Sequence, residues 1–338
     1  MVHHFGVKQR SASRLLLTVL AASVLSVCVG VPVGATTEAI SPAKTNAALA
    51  SVIAASLKRN ALPSSLTPSL TDIAGGNVYS LQGTAYLKRN CDPYNYLSEV
   101  ADPKPCIYGS VNAKRTIVIF GDSFVGNWLP ALDIVGRNLG YRIAAFEFAG
   151  CITSFVQSTP GSTLTAYDRA CDEWHNRLPA SVRALKPVAI LAANGTPSWG
   201  VGGDPSWIQG ITKAFNEMTT TSPHTIRVLI SISPHLASPA PSCLAAYASS
   251  IQKCTLTYVP GKLGSGLFSA SLVRDQAAAT AAHATLLPTV QWFCVKDRCP
   301  AVVGNLLVYA DEDHTTIAYS TYLSTVLQAA LSPILRNG

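Results

Sequence analysis

Two short segments hold the side chains best suited to covalent chemistry. Phe120-Gly121-Asp122-Ser123 offers a serine hydroxyl, and Asp311-Glu312-Asp313-His314 offers an imidazole with carboxylates beside it. A serine hydroxyl is a weak nucleophile until a base takes its proton. A carboxylate on the far ring nitrogen fixes the tautomer of that base and supports the imidazolium that forms. The short step from Asp311 to His314 lets the two meet within one turn. Ser123, Asp311 and His314 are therefore the candidate nucleophile, orienting carboxylate and base of an acyl transfer or ester cleavage. Each segment also has a plainer reading. Asp or Ser after a strand is an ordinary helix cap. Three adjacent acids can bind Ca²⁺, although they lack the alternating pattern of a calcium loop. The Gly-x-Ser-x-Gly elbow and the spacing of a phosphate-binding loop are both absent.

A tetrahedral intermediate also needs donors for its oxyanion. The Ser123 N–H is one candidate. Asn194, in Ala192-Ala193-Asn194-Gly195, and Gly150, after Phe146-Glu147-Phe148-Ala149, are the others. The alternatives are a plain Asn-Gly turn and, at Gly150, a turn requirement beside Cys151.

These residues need a scaffold that brings distant segments together. Thr116–Phe120 is a continuous β-branched and apolar run, which suits a strand buried on both faces. Further strands are expected at Arg142–Phe148, Val188–Ala192, Arg227–Ile232 and Leu306–Tyr309. Helices are expected at Trp128–Leu139, Tyr167–Leu185, Ser206–Met218, Ser271–Leu286 and Thr316–Leu331. Strands alternating with helices predict an α/β fold with a mostly parallel sheet covered on both faces. The carboxyl ends of its strands are the place for a site.

The first residues address the chain. Lys8, Arg10 and Arg14 precede an apolar run from Leu15 to about Val33, and Val33-Gly34-Ala35 has the small-x-small shape of a cleavage site. This reads as a secretory signal, with an uncleaved anchor as the rival, because a spanning helix needs about 20 apolar residues. The chain has 9 cysteines. Setting Cys28 aside, an even set remains, as a disulfide framework requires. Proximity pairs Cys91 with Cys106, Cys151 with Cys171, Cys243 with Cys254, and Cys294 with Cys299, although other connectivities are open. No Cys-x-x-Cys motif points to zinc, and no metal or cofactor is expected. The formal net charge is +7, but the basic residues are scattered. That excludes the dense cationic footprint of a nucleic-acid partner. Only 13% of residues are charged and 48% are hydrophobic, which suits a well-buried domain and not a disordered chain.

The segments together resemble the SGNH-hydrolase superfamily. The chain is most similar to the extracytoplasmic SGNH domain fused to bacterial acyltransferase-3 membrane proteins. The resemblance runs over roughly residues 88–330. It rests on Cys106-Ile107-Tyr108-Gly109, Arg115 through Ser123, Trp128-Leu129-Pro130-Ala131-Leu132, Gly150-Cys151 and Ser242-Cys243-Leu244-Ala245-Ala246. Its closing part is Trp292-Phe293-Cys294, Cys299 through Asn305, Tyr309 and Asp311 through His314. It implies a three-layer α/β/α sandwich of flavodoxin-like type. It implies catalysis by Ser123, Asp311 and His314, with an oxyanion hole from Ser123, Gly150 and Asn194. Two positions depart from the family pattern: Ala192 stands where a glycine is usual, and Phe124 follows the serine.

The expected organisation is a signal or anchor over 1–35, a tail and lead-in over 36–87, and a catalytic domain over 88–338. The expected function is an exported O-acyltransferase on a cell-envelope polysaccharide or glycolipid. A carbohydrate O-acetylesterase and a non-catalytic glycan-binding or assembly subunit are the alternatives. The membrane domain of the fused relatives has no counterpart within this sequence. A carbohydrate acceptor, an unidentified acyl donor and a separate membrane acyltransferase are the partners this implies. For a binding role, Trp128, Trp199, Trp207 and Trp292 could supply stacking faces, or they could be core residues.

Overall fold

The computed structural model describes residues 44–74, 103–156, 164–195, 204–258 and 267–336. The strands in chain order are β1 (Cys106–Gly109), β2 (Thr116–Gly121), β3 (Arg142–Glu147), β4 (Ala189–Ala193) and β5 (Ile226–Ile230), then β6 (Leu256–Thr257), β7 (Thr285–Leu287), β8 (Arg298–Cys299), β9 (Val302–Val303) and β10 (Leu306–Leu307). The helices are α1 (Asn46–Ser56), α2 (Leu70–Ala74), α3 (Val125–Leu139), α4 (Ala166–Ala184) and α5 (Asp204–Thr219), then α6 (Ala240–Ala246), α7 (Leu267–Ala281), α8 (Ile317–Tyr322) and α9 (Ser324–Arg336). The central sheet has the order β1-β3-β2-β4-β5-β7. All its neighbours pair in parallel except β1, which runs antiparallel to β3 at one edge.

β2 explains why the sheet sits in the middle. All six of its residues are buried. Successive strand side chains point to opposite faces, so Ile117 and Ile119 enter one core and Val118 and Phe120 the other. The first core is closed by Val125, Trp128, Leu132 and Val135 of α3 and by Val326, Leu327 and Leu331 of α9. The second is closed by Trp174, Leu178 and Val182 of α4 and by Ile211 and Phe215 of α5. This is the three-layer α/β/α arrangement.

The structure corrects three local expectations. Leu306–Tyr309 does not join the central sheet. Leu306 and Leu307 form a two-stranded antiparallel ribbon with Val303 and Val302. The strand beyond β5 is β7, whose first two residues fall within the helix expected over Ser271–Leu286. Leucine is found in both states, and the turn at His283, with φ 49°, separates helix from strand. The helix expected over Thr316–Leu331 is two, α8 and α9.

Cys151–Cys171, Cys243–Cys254 and Cys294–Cys299 are disulfides. Cys106 is also disulfide-bonded, while Cys91, the leader and Trp199 lie outside the described residues. Trp128, Trp207 and Trp292 are buried in the cores and offer solvent no stacking face. No helix among the described residues is long and apolar enough to cross a membrane.

Ala39–Gly338 forms one compact unit. Within it, the described part of the lead-in packs on the domain. Leu49 and Ile53 of α1 are fully buried, and Trp292 Nε1 donates to Asn46 Oδ1 at 3.0 Å. Thr67 N–H donates to Asn305 O at 2.8 Å, and Leu307 N–H donates to Thr67 O at 2.9 Å.

Candidate active site

Ser123 lies on the turn between β2 and α3. The preceding glycine is required there. Gly121 has φ +149°, and a Cβ on it would sit 1.9 Å from the Ala193 carbonyl oxygen of β4. Asp122 then ties two strand ends together. Its Oδ1 accepts from Phe124 N–H at 2.9 Å and its Oδ2 from Gly195 N–H at 2.8 Å. Its own N–H donates to Thr153 Oγ1 at 3.2 Å, and Thr153 Oγ1 donates to Ala193 O at 2.7 Å. Loss of solvent pushes the Asp122 carboxyl up to about 6, against the two N–H groups that favour its charge.

His314 comes from the loop after β10. That loop closes through Ala310 N–H donating to His314 O at 2.8 Å. Asp311 organises it with both oxygens. Oδ1 accepts the N–H groups of Asp313 at 2.9 Å and His314 at 2.7 Å. Oδ2 lies 2.8 Å from His314 Nδ1. On the other side of the ring, Nε2 lies 2.7 Å from Ser123 Oγ. With the proton on Nδ1, facing the carboxylate, Nε2 accepts from the serine hydroxyl. The three residues chosen from sequence therefore form one hydrogen-bonded chain across 191 residues of separation.

Sequence reasoning missed several groups around this chain. Asn127 of α3, nearly fully buried, accepts from Thr315 N–H at 2.9 Å and so fastens the histidine loop to the serine's helix. Asp313 brings a second carboxylate, its Oδ1 lying 3.1 Å from His314 Nδ1. Its Oδ2 is 2.8 Å from Nδ1 of His235 on the loop after β5. Glu147, the last residue of β3, is buried, and its Oε1 has no partner among the described residues. Burial first, and the charge of Asp122 second, push its carboxyl well above the ordinary range, against a smaller pull from His314. An acid ending an otherwise apolar strand was the available signal for Glu147. No local motif pointed to Asn127 or His235.

Burial alone would lower the His314 imidazole, but its bonds to Asp311 and Asp313 win and push it up to about 10. Burial would raise the Asp313 carboxyl, yet the bonds from His235 and His314 hold it well below the usual range. Asp311, Asp313 and His314 are close enough to share a cation. A cation there would compete for the same Nδ1 and carboxylate oxygens that the ring's proton joins.

The candidate oxyanion donors follow from sheet order. Gly121 is in register with Glu147 of β3 on one side and Ala193 of β4 on the other. Ser123, Gly150 and Asn194 therefore leave three neighbouring strands at the same end. Among the described residues, the N–H groups of Ser123 and Gly150 have no acceptor. Gly150 has φ +77°, and a Cβ there would meet Tyr167 Oη at 2.7 Å. Asn194 is 2% exposed. Its Nδ2 reaches Gly195 O at 3.4 Å, and its Oδ1 has no partner among the described residues.

Residues 90–329 match the SGNH domain family that occurs fused to AT3 domains, and the chain belongs to this family. It is an SGNH-type acyltransferase or esterase, on the fold and the family together. Among solved structures it is similar to the periplasmic domain of a lipopolysaccharide acetyltransferase from Salmonella ser. Paratyphi A, at 17% identity and TM-score 0.50, over 77% of this chain and 93% of that one. It is also similar to a GDSL-like lipase from Bacteroides thetaiotaomicron, at 15% identity and TM-score 0.38, over 72% of this chain and 100% of that one. A family two carbohydrate esterase from Clostridium thermocellum is a further match, at 12% identity and TM-score 0.39, over 65% of this chain and 64% of that one. No curated protein matches the sequence.

Proposed function

We propose that the protein is an exported serine O-acyltransferase that modifies a cell-envelope polysaccharide or glycolipid through an acyl-enzyme. The observation that carries this reading is the hydrogen-bonded chain Ser123 Oγ, His314 Nε2, His314 Nδ1, Asp311 Oδ2. Ser123 Oγ attacks the acyl carbonyl as His314 Nε2 takes its proton. The N–H groups of Ser123 and Gly150, with Asn194 beside them, serve the oxyanion. Collapse expels the donor's leaving group, which takes the proton back from His314. An acceptor hydroxyl then gives its proton to His314 and attacks the acyl-serine; the acyl–Oγ bond breaks, and His314 returns the proton to Ser123 Oγ. Water in place of that hydroxyl gives hydrolysis by the same groups.

Transfer is favoured because the family occurs fused to AT3 domains, an architecture that pairs this domain with membrane acyl delivery. On this reading a separate membrane acyltransferase supplies the acyl group. Export is supported by the disulfides, which persist in oxidising compartments, and by the basic and apolar leader. That leader serves as a cleaved signal or as an anchor.

The test is intact-mass analysis after reaction with an activated acetyl ester, wild type beside Ser123→Ala, with acetate release followed with and without glycan. Wild type should form an acetyl adduct that the variant lacks, and glycan should divert acetyl from water. Turnover retained by Ser123→Ala removes Ser123 from the role. Acetate release indifferent to every acceptor makes the protein an esterase.

A further inference from the structure

Of the two backbone donors offered to the oxyanion, the N–H of Gly150 belongs to the peptide unit that joins Ala149 to Gly150. That unit is the middle of a tight turn. Cys151 N–H donates to Phe148 O at 2.9 Å, which closes the turn over Ala149 and Gly150. Gly150 has φ +77°, while the φ of Ala149 is not positive, so the turn is of type II. Its closing bond uses groups of Phe148 and Cys151 alone and leaves the middle peptide unheld. Types I and II differ by rotations of about 150° and 170° on the two sides of that peptide, which amounts to flipping it over. A flip reverses the direction of the Gly150 N–H.

Tyr167 of α4 takes hold of this peptide by its other end. Its Oη–H donates to Ala149 O at 2.5 Å. A trans peptide is planar, so its N–H points opposite to its C=O. Holding the Ala149 carbonyl therefore aims the Gly150 N–H away from the tyrosine. Gly150 is exposed, where a substrate can reach it. A bond accepted by the carbonyl also polarises the peptide and strengthens its N–H as a donor.

The tyrosine and the turn are themselves held. The Tyr167 ring meets the ring of Phe148, the first residue of the turn, edge-on, with centroids 5.3 Å apart at 71°. Four residues along α4, on the same face, Cys171 is bridged to Cys151, the last residue of the turn. Thr165 caps the helix just before Tyr167, its Oγ1 accepting from Asp168 N–H at 3.1 Å and its own N–H donating to Asp168 Oδ2 at 2.8 Å. The bridge fixes the end of the turn but not the rotation of its middle peptide. Only the hydroxyl does that.

We propose that, within the acyl-transfer reading on which this rests, Tyr167 is a positioning residue whose hydroxyl locks the Ala149–Gly150 peptide with its N–H turned to the oxyanion. The test compares wild type with Tyr167→Phe, which keeps the ring against Phe148 and removes the hydroxyl alone. Steady-state kcat and KM are measured with an activated acetyl ester, well below the melting temperature of either form. Beside them, difference infrared spectroscopy follows the isotope-labelled acetyl carbonyl on Ser123. Loss of a whole oxyanion donor costs about 10²–10³ in kcat, so a misdirected one should cost about 10–100-fold. We expect that fall in kcat with KM little changed, and an acetyl carbonyl band moved to higher wavenumber, as hydrogen bonds to its oxygen are lost. A lowered melting temperature with kcat and the band unmoved makes the tyrosine structural and overturns the proposal. A fall in kcat with the band in place overturns it too, because the hydroxyl then acts elsewhere than through the oxyanion. If wild type forms no adduct and turns over no ester, the acyl-transfer reading fails and takes the proposal with it. If wild type turns over and Tyr167→Phe keeps its kcat, the proposal alone fails.

Discussion

At the residue scale, Asp311 matters because each oxygen has a different task. Oδ1 holds the N–H groups of Asp313 and His314, and Oδ2 faces His314 Nδ1. Asp311→Asn can keep the first task by turning its carbonyl to the backbone. It then presents an N–H₂ group to Nδ1, which favours the wrong imidazole tautomer. A substitution of this kind in other serine hydrolases costs about 10⁴ in kcat. We expect a loss of about 10³-fold or more in kcat for Asp311→Asn, with the melting temperature little changed, read by steady-state kinetics beside a thermal melt. A loss under tenfold would make Asp313 the principal partner of His314. Asp313 was named from sequence only as part of an acidic cluster, because its contact with His235 spans 78 residues and no local pattern encodes it.

At the scale of elements, the serine is positioned by the closeness of β2 to β4. The strand itself was readable, since Thr-Ile-Val-Ile-Phe without alternation means burial on both faces. The need for glycine at its end was not readable in full. A turn signal accounts for a glycine, but only the packed sheet shows the Ala193 carbonyl lying where a Cβ would go. Gly121→Ala should force β2 from β4 or twist the turn, and overpacking of this kind costs about 1–3 kcal/mol. The urea midpoint should fall, and kcat should fall more than KM rises, because the Ser123 hydroxyl leaves His314 Nε2. Unchanged kcat with a lowered midpoint would mean that the turn tolerates the shift. The misplacement of Leu306–Tyr309 belongs to this scale as well. A short apolar run satisfies either a central strand or a ribbon, and its neighbours decide which.

At the scale of the molecule, the domain begins earlier in the chain than its chemistry does. α1 closes one core with Leu49 and Ile53 and sits against the β9 segment and the Trp292 turn. The ribbon of β9 and β10 in turn carries the loop that ends in His314. Truncating a buried isoleucine to alanine costs about 2–5 kcal/mol. Ile53→Ala should lower the unfolding free energy by that amount within a single cooperative transition, measured by urea denaturation of the oxidised protein. A separate early transition, with the main one unmoved, would show that α1 folds apart from the domain. The disulfides whose two cysteines both lie among the described residues span sequence separations of 20, 11 and 5. The first of these lies directly beside Gly150, so that bridge also braces a candidate oxyanion donor.

The sequence by itself indicated the class of fold, the strand that leads to Ser123 and the candidates Ser123, Asp311 and His314; it suggested by proximity, without deciding, the three cysteine pairings that the structure shows. These rest on local signals: continuous apolar runs, turn residues and short spacings, which physical chemistry reads within a few residues. The tertiary structure alone decided which strands form the central sheet, how the lead-in packs, and that Asn127, Glu147 and His235 surround the site. Those facts depend on pairings between residues far apart in the chain. Burial and hydrogen bonding choose such pairings only once the whole chain has folded.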